Sequence, residues 1–264
     1  LMKPTIFSNW GMTLSDEFEK DVKIWVDSFD GIITTKADIK IFLQIEPNEV
    51  MGLNRYIKEL DKNNVVDLIL TYEEDILDSC PKAKLLEYGT CWINKDEVPL
   101  KKHFKISTVC GDKEQAPGHK MRKKLWYKQM QIKIPKDFYI GRLGGVDNLN
   151  ENKILTGPKI PMFDSMFHIC IENSKKEYYF SEKLIDCLLA KSIPIYWGAK
   201  KIDNYFNMDG FYIVDSVEDI INVCNSLTED DYINRLSVIE ENYNKALNWI
   251  DYNKRLVEKI KENI

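Results

Sequence analysis

Residues 167–198 read F-H-I-C-I-E-N-S-K-K-E-Y-Y-F-S-E-K-L-I-D-C-L-L-A-K-S-I-P-I-Y-W-G. An apolar-rich run, Phe167 to Ile171, stops at Glu172, Asn173 and Ser174. A helix opens near Ser181, whose hydroxyl can cap it, and closes before a second apolar run from Ile193 to Trp197. The order is strand, polar loop, helix, strand. In an open α/β sheet, ligands bind where strands end and helices begin. A helix N-terminus there presents free N–H groups and a partial positive charge, which suit a phosphate. Lys183 lies in the first turn, where its charge opposes the helix dipole. An anion in front of it would explain a cation there; the plainer reading is a capped helix with solvated charges.

Two series of alternating strands and helices surround this segment. The first runs through a strand at Pro4–Asn9, a loose helix at Leu14–Phe29, a strand at Ile39–Ile45, a helix at Val50–Leu60, a strand at Val65–Thr71 and an extended run at Lys84–Trp92. The second has a strand at Lys105–Val109, a helix at Lys120–Ile132 and a strand at Phe138–Gly141. It then passes through the quoted segment to a strand at Gly210–Val214 and a helix at Val217–Leu227. From Asp230 to Ile264 the pattern is helical. Strands spaced by helices argue for parallel sheets covered on both faces, an α/β fold. The charged stretch Asn94–His103 separates the series as a linker. The expected division is therefore residues 1–100, residues 101–240, and a helical segment 241–264 that packs back on the first domain.

The 264 residues, 44% hydrophobic and 30% charged, suffice for one large core or two smaller ones. A net charge of −5 supplies no global basic field, so nucleic acid is not an expected partner. No apolar run reaches the roughly 18–20 residues that span a bilayer. The first residues lack a signal-peptide pattern, and Leu1 ahead of Met2 reads as a cloning remnant. The six cysteines form no C-x-x-C pair and match no zinc spacing, as expected of buried thiols in a reducing compartment. The expected location is the cytoplasm, or the soluble portion of a membrane-associated enzyme. His103, His119 and His168 are isolated in sequence and read as structural. Gly141-Arg142-Leu143-Gly144-Gly145 follows a strand but lacks the full dinucleotide fingerprint, so it reads as a turn with Arg142 a candidate phosphate contact.

The pattern E-N-S-x-x-x-Y-Y-x-S-E-K-L-x-D-x-L-x-A-x-x-I-P-I-Y-W-G (Glu172–Gly198) resembles the donor-binding signature of the α-1,3/4-fucosyltransferases. The likeness covers roughly residues 163–214. Ile171 stands where the family usually has Phe, and Lys175, Lys176 and Glu177 fill a loop often richer in Gly. The resemblance implies a GT-B-like fold, two Rossmann-like domains facing each other across a cleft, with the acceptor side N-terminal and the donor side C-terminal. It implies an inverting transfer of L-fucose from GDP-fucose to a glycan hydroxyl, in glycan biosynthesis or protein glycosylation. Asn173, Tyr179, Ser181, Glu182 and Lys183 fall in the donor signature. Arg122, on the helix around His119–Trp126, falls where the family sets an arginine against the diphosphate. A guanidinium fork suits two phosphate oxygens; a solvated basic face, to which Lys120, Lys123 and Lys124 are assigned, is the alternative. Glu46, closing the strand Ile41–Ile45 ahead of Pro47, matches the family's presumed general base, with Glu49 the fallback.

No Asp-x-Asp occurs, so no metal and no cofactor beyond the donor are expected. Two other readings stay open: the same scaffold with another donor, such as a xylose or rhamnose nucleotide, and a non-catalytic protein that binds nucleotide sugar.

Overall fold

The computed structural model describes residues 1–8, 11–142 and 144–264. They form two compact units. The first gathers Leu1–Tyr88, Lys176–Tyr179 and Asp251–Ile264, and the second Gly89–Lys175 and Phe180–Ile250. The division falls ahead of residue 100. The charged stretch expected as a linker lies within the second unit, where Lys95–Glu97 form a 3-10 turn and His103 opens a strand. Of the expected tail 241–264, only the part from Asp251 belongs to the first unit.

The first unit is built on five parallel strands in chain order: β1 (Thr5–Ser8), β2 (Val22–Val26), β3 (Ile39–Leu43), β4 (Leu68–Thr71) and β5 (Ala83–Leu85). Asn9, the expected end of the first strand, lies outside the described residues. Helices α1 (Asn48–Met51) and α2 (Asn54–Lys62) follow β3, and α3 (Glu74–Ser79) follows β4. The pleat sorts side chains by alternation. Val22, Ile24, Val26, Ile41, Leu43, Leu68 and Leu70 share one core with Leu256, Val257 and Ile260 of the last helix, Tyr252–Lys261. Trp25, Phe42 and Ile69 face the other way, onto Ile57 and Leu60 of α2 and Ile76 of α3. The helix expected over Leu14–Phe29 is corrected to β2. Its V-K-I-W-V core is β-branched at Val22, Ile24 and Val26, which stiffens χ1 and favours the pleat. It is buried between β1 and β3.

The second unit has six parallel strands: β6 (His103–Cys110), β7 (Lys136–Ile140), β8 (Lys153–Ile154), β9 (Ser165–Ile171), β10 (Ile193–Trp197) and β11 (Tyr212–Ile213). Its helices are α4 (Pro117–Tyr127), α5 (Glu182–Leu189), α6 (Val217–Ser226), α7 (Glu229–Ile233) and α8 (Leu236–Ala246); the last helix of the chain is α9. The strand order is β11-β10-β9-β6-β7-β8. From β6 the chain steps outward through β7 to β8; from β9 it steps the opposite way through β10 to β11. The order therefore reverses between the neighbours β6 and β9, and such a switch point leaves a crevice at the carboxyl ends of the strands. Phe167, Ile169 and Ile171 face Leu125 and Trp126 of α4 and Ile220 of α6. Cys170 faces Leu184, Ile185 and Leu188 of α5.

Candidate active site

The switch point holds a cavity of about 320 Å³. Its walls include Thr108, Val109 and Gly111 at the end of β6 and His168 to Ile171 on β9. Arg122 comes from α4, and Glu182, Lys183 and Asp186 from α5; Lys113, Lys159 and Trp92 complete its polar side. The lining cations Lys113, Arg122, Lys159 and Lys183 outnumber the carboxylates Glu182 and Asp186 by two.

Local sequence explains how these side chains converge. Pro117 opens α4, a position where its missing N–H costs nothing. Gly118 follows because the first turn lies directly on the end of β9. Its N–H donates to the Asn173 carbonyl at 2.9 Å, and an added Cβ would sit 1.7 Å from the Glu172 carbonyl oxygen. One turn on, Arg122 donates to the Ile171 carbonyl, to the Glu172 carbonyl at 3.4 Å and to Asn173 Oδ1 at 2.9 Å. His119 accepts the Ala116 N–H on Nδ1 at 3.1 Å. Burial, with Arg122 and Lys113 nearby, pushes its imidazole down to about 4.

The loop between β9 and α5 is closed by the buried carboxylate of Glu172. Oε1 accepts the Ser181 N–H at 2.9 Å and Oε2 accepts the Ser181 hydroxyl at 2.6 Å. Burial raises the Glu172 carboxyl, against the pull of Lys183 at 4.0 Å. Ser181 is the N-cap of α5, its hydroxyl accepting the Lys183 N–H at 3.3 Å. The Lys183 ammonium does not stand alone at the helix start: Glu182 Oε1 lies 3.2 Å away. Burial would raise the Glu182 carboxyl, but Lys183 and Lys159 outweigh it and hold it at about 2. Lys159 bridges Glu182 at 3.2 Å and Asp186 at 3.3 Å. Burial alone would lower its ammonium, and the two carboxylates more than offset that. Burial raises the Asp186 carboxyl, which also accepts the Trp92 N–H at 2.8 Å. His168, on the cavity floor, shares a 2.7 Å hydrogen bond between Nδ1 and the Ser107 hydroxyl. Burial and the nearby Lys159 and Lys102 hold it at about 3, so it stays neutral.

Arg122, Asn173, Ser181, Glu182 and Lys183 thus meet at one end of one sheet. Glu46 and Tyr179 belong to the first unit. Tyr179 is buried, its ring centroid 4.8 Å from that of Tyr72. Glu46 is half-buried just past β3, where the Asp27 carboxylate accepts the N–H groups of Ile45 at 2.9 Å and Glu46 at 3.0 Å. The fallback Glu49 is exposed and ion-paired with Lys176 at 2.6 Å, which also reaches the buried Glu73 at 3.1 Å. Arg142 is exposed, and Leu143 of its turn lies outside the described residues. The expected basic face holds for Lys123 and Lys124, which pair with Glu114 and Glu218. All six cysteines are free thiols. Among the described residues no helix is long and apolar enough to cross a membrane. Sequence reading missed the Glu172 clamp, Lys159 and Asp186. Only Asp186 carried a signal, lying one turn after Glu182 on the same helical face.

A parallel sheet with a switch point, a capped helix start and a cation-lined cavity, together with a second parallel α/β unit in the same chain, makes an α/β fold of the kind found in GT-B glycosyltransferases. The chain belongs to glycosyltransferase family 10: the family model described as "Glycosyltransferase family 10 (fucosyltransferase) C-term" matches residues 101–264. It is 30% identical over 112 residues to the α-(1,3)-fucosyltransferase FucT of Helicobacter pylori, an alignment covering 40% of this chain and 21% of that protein. The chain thus matches about a fifth of that relative's length. An α1,3-fucosyltransferase crystallised with GDP-fucose shares the fold at a TM-score of 0.56 and 15% identity, covering 97% of this chain and 88% of that one. TarM aligns at 0.63 and 14% identity, covering 91% and 54%. The apo structure of OtsA aligns at 0.58 and 12%, covering 92% and 72%.

Proposed function

We propose that the protein is an inverting glycosyltransferase that moves L-fucose from GDP-fucose to a hydroxyl of a glycan acceptor, in the manner of an α-1,3-fucosyltransferase. The observation that carries this reading is the cation-lined cavity at the switch point of the unit that matches family 10. The second unit is the donor side and the first the acceptor side. The acceptor oxygen attacks C1 of the sugar from the face opposite the diphosphate. The C–O bond to acceptor forms as the C1–O bond to phosphate breaks, and GDP leaves with the electron pair. The acceptor proton passes to Glu46, the general base. Arg122 and Lys183 stabilise the charge that grows on the diphosphate, with Asn173 and Tyr179 as hydrogen-bond donors to it. The Ser181 N–H and hydroxyl are held by Glu172, so what α5 offers the phosphates is the positive end of its dipole together with the Lys183 ammonium, and Glu182 accepts from the ribose hydroxyls.

The test is a thermal-shift panel of nucleoside diphosphates and nucleotide sugars. A ligand at about 100 times its Kd adds about 2.7 kcal/mol to stability. Selective stabilisation by GDP and GDP-fucose is the expected outcome; an equal response to uridine or thymidine nucleotides would count against the donor. Side-chain cations take the part of a metal in this scheme, so turnover is expected to persist in EDTA. Loss of activity in chelator, restored by manganese, contradicts that part.

A further inference from the structure

We propose that Trp92 is the platform on which the purine base of the donor stacks, an inference that rests on the nucleotide-sugar reading of the cavity. Three aromatic rings line the cavity among the described residues: Trp92, Phe163 and His168. Phe163 and His168 are buried, at 1% and 5% exposure, whereas Trp92 is 63% exposed. Of the three, the indole is the ring with a face left to offer.

The Trp92 position is built rather than loose. Its main-chain N–H is anchored on the buried Asp186 carboxylate at 2.8 Å, and the Lys159 ammonium lies 4.6 Å from the ring centroid. Lys159 is fixed in turn by Glu182 and Asp186. A cation against one face of an indole is favourable, and it leaves the other face for a planar ligand. The placement also matches the length of a nucleotide. Phosphates belong at the Ser181 cap and the ribose at Glu182. Asp186 lies four residues further along α5, about 6 Å at the helical rise, which is where a base would follow its ribose. Stacking is tolerant of which base is bound, so Trp92 supplies affinity and orientation, and guanine choice falls to other contacts.

The experiment titrates GDP and inorganic pyrophosphate against wild type, Trp92→Phe and Trp92→Ala by calorimetry, with indole emission as a second readout. Trp92→Ala should bind GDP about 10-fold or more weakly and pyrophosphate as wild type does. Trp92→Phe should keep most of the GDP affinity and lose the emission change. The main-chain anchor survives in both variants, and a melting curve checks the fold of each. GDP affinity within about twofold of wild type in Trp92→Ala, or an equal loss for pyrophosphate, overturns the stacking role and leaves the donor assignment standing. A wild-type protein that binds no purine nucleotide overturns both.

Discussion

Asp27 occupies a left-handed backbone position, φ 49°, at the end of β2. Asp tolerates that region better than most residues, and here the turn aims its carboxylate at two consecutive N–H groups, those of Ile45 and Glu46. The backbone that carries the proposed base is thus held by a residue nineteen positions earlier. Glu46→Gln is expected to lower turnover by about 10²-fold or more while leaving GDP affinity unchanged; wild-type turnover in this variant would place the base elsewhere. Lys183→Ala should do the reverse at the binding step, raising the Kd for GDP itself. Asp27→Ala takes the acceptor from one buried and one part-buried N–H group, at a cost of about 1–3 kcal/mol. The denaturant midpoint should fall accordingly, and turnover should fall further than GDP affinity does. An unchanged midpoint would mean that another group takes over the two donors.

The junction of α4 with the end of β9 shows how elements set the site. Gly118 is there for close approach, and Gly118→Ala must displace either the helix start or the Glu172 backbone. Overpacking of this kind costs about 1–3 kcal/mol. Because Arg122 rides on the same helix, calorimetry should show GDP binding weakened as well; unaltered stability and binding would disprove the tight seat. The β9–α5–β10 unit was legible in the sequence because an apolar run, a polar break, a capping serine and a second short apolar run leave few other solutions. β2 was not, because V-K-I-W-V sits in a charged stretch whose apolar residues also fit a loose helical spacing. α3, six residues of E-D-I-L-D-S, is too short to show a period. Asn173, Ser181, Glu182 and Lys183 were candidates because of a long pattern with fixed spacing, and Arg122 because of a separate likeness on α4; folding brings the five to one end of the second sheet. Lys159 reaches Glu182 across 23 positions, a contact that tertiary folding alone creates. The domain boundary was misplaced because the charged stretch 94–103 resembles a linker in composition although it packs within the second unit.

At the scale of the whole molecule, buried histidines set a pH dependence. His119 and His168 are held at about 4 and about 3, by burial first and neighbouring cations second, whereas an unfolded histidine titrates near about 6.5. Below that pH the unfolded chain binds protons that the native state refuses. Their contribution is therefore complete above about pH 6.5 and is lost as the pH falls toward the folded values. Denaturant midpoints should drop between about pH 7 and pH 5, although the raised Glu172 and Asp186 carboxyls, which take up protons in the native state, oppose the fall; an identical slope in a His168→Gln variant would argue against a neutral buried imidazole there. Glu182, held at about 2, adds its loss at more acid pH, from the usual carboxylate range down to its folded value. The first unit draws on three separated stretches of chain, and α9 supplies Tyr252, Leu256, Val257 and Ile260 to a core that otherwise comes from the first 88 residues. During synthesis the sheet of the first unit must wait, one greasy side bare, until residues 251–264 have left the ribosome, so nascent chains stalled before residue 251 should be favoured clients of chaperones.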